Sequence, residues 1–180
     1  TEGISYIGRN AFAGCNKLHQ VVLPISIEEI EDSAFENCSS LKSIFLPMAL
    51  KTIGDGALKG TGLRTIEIPK SVFWLGDGLL ADCQSMARVT IPENIGRIPD
   101  RMFEGCTNLK KVELHEKLGV IGERAFLGCS SLDFIVIPDS VKQIGQDAFA
   151  NTDQQFIIQC SFGSYAEEYA RKNKLKYQLG

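Results

Sequence analysis

A 23-residue period runs through the chain and limits its possible folds more than any other feature. Ile7, Ile30, Ile53, Leu75, Ile98, Ile121 and Ile144 are separated by 23, 23, 22, 23, 23 and 23 residues. Cys15, Cys38, Cys83, Cys106 and Cys129 keep the same beat, with Thr61 in the cysteine column of the short unit. One unit reads Ile-Gly, two variable residues, Ala-Phe, two more, Cys, two more, Leu. Two variable residues then lead to Val/Ile-x-Leu/Ile-Pro. Full copies are "IGRNAFAGCNKLHQVVLP", "IEDSAFENCSSLKSIFLP" and "IGERAFLGCSSLDFIVIP"; "IGDGALKGTGLRTIEIP" is the short one. "LGDGLLADCQSMARVTIP" and "IPDRMFEGCTNLKKVELH" are looser copies.

A unit of this length cannot bury its own apolar columns, so neighbours must stack and share one continuous core. The Leu-x-x-Val-x-Leu stretch, as in Leu18, Val21 and Leu23, is expected to be a short strand. Alternation turns Val21 and Leu23 to one face and Gln20 and Val22 to the other. Pro24 ends the strand because it has no N–H to give a ladder. Phe12, Phe35, Leu58, Leu80, Phe103, Phe126 and Phe149 are expected to form a buried spine opposite the strands. Gly8, Gly54, Gly76, Gly122 and Gly145 suit a turn with unusual backbone angles. The Ala-Phe stretch allows one or two helical or 3-10 turns at most. "GDG" at 54–56 and 76–78 falls inside the repeat's turn, so it reads as backbone geometry and not as a phosphate loop.

The units divide the chain into one domain, 1–180. Its repeats cover about 7–29, 30–52, 53–74, 75–97, 98–120 and 121–143, with a final partial repeat and cap at 144–180. Ile4 shares the column of Ile27 and Leu50, so residues 1–6 read as the tail of an earlier unit. The chain is therefore expected to begin inside a longer array, as an excised or processed piece. Ser164 followed by Glu167 predicts a capping box opening a short helix. Ala166, Tyr169 and Ala170 form its apolar stripe, and Glu167, Glu168, Arg171 and Lys172 are expected in solvent. Leu175, Tyr177 and Leu179 alternate as a final strand. Such a cover shields the end of the core.

On the Ile-Gly, Ala-Phe, Cys-x-x-Leu and Val-x-Leu-Pro columns, this chain resembles the BspA-like (Treponema pallidum type) leucine-rich-repeat family. The likeness covers essentially the whole chain and includes the ending "GSYAEEYARKN". Thr61, Met86 and the His115–Glu116 pair, where Pro is usual, depart from the pattern. The expected fold is a right-handed leucine-rich-repeat solenoid. It has a parallel β-sheet on the concave face, short turns or 3-10 segments on the convex face, and a C-terminal helix-strand cap. The resemblance implies a bacterial cell-surface or secreted protein that adheres to host matrix proteins or to other cells.

The side chains that carry chemistry give little support to an enzyme. Five cysteines share one structural column, where a small buried hydrophobe is the plain reading. Disulfides between rungs are the alternative, and they need Cα atoms within about 7 Å. Cys160 lies outside the column and is expected to be semi-exposed. His19 and His115 stand about four repeats apart, too far for one site at roughly 5 Å per strand. Glu28, Glu29, Glu31 and Asp32 read as a solvated face, with a weak cation or partner contact as the alternative. No cofactor or metal set is evident. A net charge of −3 gives no pull toward nucleic acid, and no apolar run is long enough for direct membrane insertion.

What remains is the outward face of the strands, where repeat proteins usually bind. Its two columns are Gln20, Ser43, Thr65, Arg88, Lys111, Phe134 and Val22, Phe45, Glu67, Thr90, Glu113, Val136. Both ends are apolar and the middle is polar. These residues are either ordinary strand formers or anchors for a protein partner. The candidate partner-binding set is Val22, Phe45, Glu67, Arg88, Thr90, Lys111, Glu113, Phe134 and Val136. The function expected is a monomeric, non-enzymatic module for a protein ligand, with a spacer array as the alternative.

Overall fold

The computed structural model describes residues 3–180, so the first two residues of the expected repeat tail lie outside it. The strands follow in the order β1 (Tyr6–Ile7), β2 (Glu29–Ile30), β3 (Thr52–Ile53), β4 (Thr65–Ile66), β5 (Trp74–Leu75), β6 (Arg88–Thr90) and β7 (Arg97–Ile98). They continue with β8 (Lys111–Glu113), β9 (Val120–Ile121), β10 (Phe134–Val136), β11 (Gln143–Ile144) and β12 (Ile157–Cys160). Helix α1 (Tyr165–Lys172) and β13 (Lys176–Leu179) close the chain. Every paired strand is parallel to its neighbour, as stacking of like units requires. The chain is a leucine-rich-repeat solenoid.

The predicted strand of each unit forms one face. It comprises the Val21–Ile44 bridge, then β4-β6-β8, then β10-β12-β13. Val89, Val112 and Ile135 point inward from it, and Arg88, Lys111 and Phe134 point outward. A second parallel ladder runs along the Ile column as β1-β2-β3-β5 and β7-β9-β11. The sequence does not announce it, because each of its strands is two residues long and shows no alternation. Between the ladders the Phe column is buried from Phe35 to Phe149, and Phe12, at the first rung, is half-buried. Phe12 stacks on Phe35 at 5.1 Å, and Phe103, Phe126 and Phe149 follow at 5.2 Å steps. Phe156 carries the spine into the cap at 5.3 Å.

The Ala-Phe stretch is a chain of turns and not a 3-10 helix. Its N–H groups alternate between a local bond, such as Ala13 N–H to Asn10 O, and a bond to the next unit, such as Phe12 N–H to Ala34 O at 2.8 Å. Two positions per unit are left-handed. One is Asn10, Ser33, Gly56, Gly78, Arg101, Arg124 and Asp147; the other is Gly14, Asn37, Gly60, Asp82, Gly105, Gly128 and Asn151. Most of the residue types suit this, since Gly tolerates positive φ freely and Asn and Asp better than most; Ser33, Arg101 and Arg124 take the angle without that advantage.

The glycine after the Ile column is a correction. Gly54, Gly76, Gly122 and Gly145 do not have positive φ. They are glycine because the preceding turn presses on them: a Cβ at Gly54 would lie 2.5 Å from Asp32 Oδ1 and 2.6 Å from Asp32 N. The acids beside them tie the turns together. Asp55 N–H donates to Asp32 Oδ1, Asp77 N–H to Asp55, Asp100 N–H to Asp77, and Glu123 N–H to Asp100, at 2.8–3.0 Å. Asp32, read as part of a solvated face, is thus a rung of this ladder. In "GDG" the first Gly allows contact, the Asp bridges, and the second Gly supplies the left-handed angle.

Ser164 caps α1, accepting from Glu167 N–H at 3.2 Å. Ala166, Tyr169 and Ala170 face the core. Two expectations fail here. Glu167 is buried, because its carboxylate turns back to accept from Gly163 N–H at 2.7 Å and to meet Arg171 at 2.7 Å. Cys160 is buried as well, as the inward end of β12 beneath the helix.

Candidate protein-interaction face

The outward columns of the main ladder are built by strand alternation. Inward Val or Ile residues anchor each strand in the core, and their neighbours must then face solvent. The bridge between Val21 and Ile44 sets Val22 beside Phe45. Val22 is 83% exposed and Phe45 71%. The turn after each strand adds two side chains outside the candidate set: Ile25 at 86% and Met48 at 71%. Both follow the column proline, and in the next two units the same position holds Lys70 and Glu93. The signal for them is a column that changes from apolar to charged; it is hard to interpret because it belongs to a turn. Val22, Ile25, Phe45 and Met48 thus occupy one end of the face as four exposed apolar side chains.

The middle is polar and partly self-paired. Register sets Arg88 beside Lys111 and Thr90 beside Glu113. Glu113 receives Lys111 Nζ at 2.8 Å and Thr90 Oγ1 at 3.2 Å. Its pKa falls below the usual carboxylate value because of the Lys111 hydrogen bond and charge, then the Thr90 bond. Glu93 is lowered in the same way by Lys117, 3.1 Å away. Glu67 is exposed, and Glu113 is half-buried by these neighbours.

At the other end, Phe134 and Val136 are exposed on β10. Register places them beside Ile157 and Gln159 of β12. Val136 also lines a cleft of about 330 Å3, with Glu116, Pro138, Gln159 and Leu179 among its walls. The candidate residues therefore share one face, but its two apolar ends are separated by the polar rungs. His115 is half-buried and keeps the turn that proline makes elsewhere: Leu118 N–H donates to His115 O at 3.0 Å.

The cysteine column lies behind this face. Cys38, Cys83, Cys106 and Cys129 are fully buried, and each thiol donates to the Phe-column carbonyl of the unit before, at 3.1–3.2 Å. Thr61 makes the equivalent bond within its own unit, to Leu58 O at 2.8 Å. Burial pushes the Cys83 and Cys106 thiols up, and takes Cys129 to about 12. The thiolate needed for nucleophilic attack is therefore suppressed. In the native protein a thiol reagent is expected to modify Cys15, the one exposed cysteine, and to reach the others only on unfolding. Mass spectrometry of briefly alkylated protein checks this; fast labelling of Cys106 or Cys129 would contradict the buried column.

No group of three His, Cys, Asp or Glu side chains among the described residues is placed to hold a metal ion. No helix among them is long and apolar enough to cross a membrane.

The comparisons agree with the repeat fold. The model of the BspA type leucine rich repeat region matches residues 1–87 and 51–175, in six copies. A leucine rich cell surface protein from Faecalibacterium prausnitzii is 34% identical with a TM-score of 0.77, over 89% of this chain and 45% of its own. A leucine-rich repeat protein from Bacteroides ovatus is 28% identical with a TM-score of 0.72, over 97% of this chain and 55% of its own. The chain thus spans about half the length of these two relatives. The leucine rich repeat protein of T. pallidum, at 23% identity and a TM-score of 0.72, shares the fold over the whole chain and 82% of its own length. No curated protein sequence matches the chain.

Proposed function

Because the chain belongs to the BspA-type leucine-rich-repeat family, we propose that it is a non-enzymatic protein-binding module. It is a monomeric part of a bacterial cell-surface or secreted protein and engages its ligand through the main ladder's outward face. The observation that carries this reading is the set of four exposed apolar side chains, Val22, Ile25, Phe45 and Met48, at one end of that face. A core has no use for them there, and aromatic and thioether groups suit an adaptable contact. Arg88, Lys111 and Glu67 fix orientation and on-rate more than affinity. The description of the F. prausnitzii relative as a cell surface protein supports the location.

The test is binding of the purified chain to immobilised collagen, fibronectin and laminin, followed by a variant with Val22, Ile25, Phe45, Met48, Phe134 and Val136 all changed to Ser. About a tenfold or greater loss of affinity is expected. Undiminished binding by a folded variant would remove the face from the mechanism. Absence of any binding would leave the array as a spacer that holds another domain away from the cell.

A further inference from the structure

The second ladder carries an exposed aromatic group of its own. Trp74, the only tryptophan of the chain, is 58% exposed on β5, and Phe73 before it is 63% exposed. Two clefts flank the indole. One, of about 340 Å3, is lined by Phe73, Trp74, Gly96, Arg97 and Pro99. The other, of about 350 Å3, is lined by Arg9, Glu29, Glu31, Asp32 and Trp74.

The first cleft coincides with a departure in the sequence. In the other units the residue after the Ile column donates its N–H across the ladder, as Gly76 does to Ile53 O at 2.8 Å and Gly122 to Ile98 O at 2.9 Å. Pro99 stands at that position after β7 and has no N–H. Among the described residues no backbone hydrogen bond joins β5 to β7, and the ladder divides into two sheets there. β5 is thus unpaired on this side beside its two aromatic rings, while Asn94 Nδ2 to Val72 O and Asp100 N–H to Asp77 Oδ1 tie the two units together before and after it.

The charge around Trp74 is one-sided. Glu29, Glu31 and Asp32 line one cleft, and Asp55 and Asp77 line the other. The two cations present are already engaged: Arg9 meets Asp32 at 2.8 Å, and Arg97 lies 3.1 Å from Asp100 and 3.5 Å from Asp77. Glu29 and Asp55 have no cationic partner among the described residues. An exposed indole face attracts a cation through its quadrupole, and flanking carboxylates add to that attraction.

We propose that the Trp74 face is a second docking surface, which takes an extended basic segment of another protein and seats an arginine or lysine side chain over the indole. The clefts on either side of the indole receive the flanking residues of the segment, and Glu29 and Asp55 meet the positive charges there. This site lies on a different ladder from the face in the proposed function, and neither reading depends on the other.

The probe is a blocked (Gly-Arg)4 peptide, with its citrulline counterpart as the neutral control. Titration at low salt is expected to shift Trp74 emission saturably, with a dissociation constant below about 100 μM that weakens as salt rises. By anisotropy of a labelled peptide, Trp74→Leu is expected to lose about tenfold in affinity, and Glu29→Gln with Asp55→Asn a similar amount. Asn at 55 keeps the Oδ1 that accepts Asp77 N–H, so the turn ladder is retained. Glu29→Gln alone, at an exposed strand position, still reports if the pair fails to fold. The variant with Val22, Ile25, Phe45, Met48, Phe134 and Val136 changed to Ser is expected to bind the peptide unchanged. Equal binding of the citrulline peptide, unchanged binding by the Trp74 and acid variants, or a response only to a neutral oligosaccharide such as maltohexaose would each overturn the proposal.

Discussion

Alanine at Gly54 is expected to destabilise the protein by about 3 kcal/mol, whereas alanine at Gly96 leaves stability within about 0.5 kcal/mol of the parent. Neither residue has positive φ, so backbone freedom does not separate them. Space does. The added carbon at 54 would lie 2.5–2.8 Å from Asp32 Oδ1, Asp32 N and the Glu31 carbonyl carbon, while at 96 nothing stands within 4 Å. Two of the atoms in the way are backbone and cannot rotate aside. The two turns must separate, and the Asp55 N–H to Asp32 bond lengthens with them. Urea unfolding of both variants, followed by circular dichroism and by Trp74 fluorescence, measures the difference. Equal midpoints would show that the turns are not in contact as described.

The second large effect is expected at Phe126. Alanine there should cost about 4 kcal/mol, in the range for a buried aromatic truncated in a tight core. The ring is fully buried between Phe103 and Phe149, with both neighbours stacked on it at 5.2 Å. Its removal loses buried area, two ring contacts and the support of the adjoining rungs. Phe126→Leu should cost much less, under about 1.5 kcal/mol, since Leu58 and Leu80 already hold the same column. Phe12→Ala should also be milder than Phe126→Ala, because Phe12 stacks on one partner and is only half-buried. Denaturation midpoints in the order Phe126→Ala, Phe12→Ala, Phe126→Leu, lowest first, are the expected result; an equal loss at all three would mean the spine is not a stack.

The contrast between Gly54 and Phe126 marks how far the sequence can be read. The column alone places Phe126 in the core, and with it Ile121, Leu132 and Ile135. The same alternation turns Val22, Phe45, Phe134 and Val136 outward, and they are exposed. The candidate face is legible to that extent. Ile25 and Met48 are not, because a turn has no fixed period to say which way its side chains point. Glu167 is misplaced for a related reason: its position on a charged stripe says nothing of the Gly163 N–H and Arg171 that draw it inward. The second ladder is hidden because two residues cannot show an alternation.

By itself, the sequence determined the rung length, the register and the set of side chains that share a core. These follow from periodicity, since a column that must be buried in every unit stays apolar in every unit. The tertiary structure decided what residues about 22 apart do to one another. It set glycine against the preceding turn, made Asp32, Asp55, Asp77 and Asp100 into a hydrogen-bonded ladder, and opened the cleft beside Trp74 where Pro99 lacks an N–H. These contacts depend on the rise of about 4.8 Å between parallel strands. At that spacing one added Cβ is too much, and the break between β5 and β7 coincides with one missing N–H. No column of residue types carries that distance.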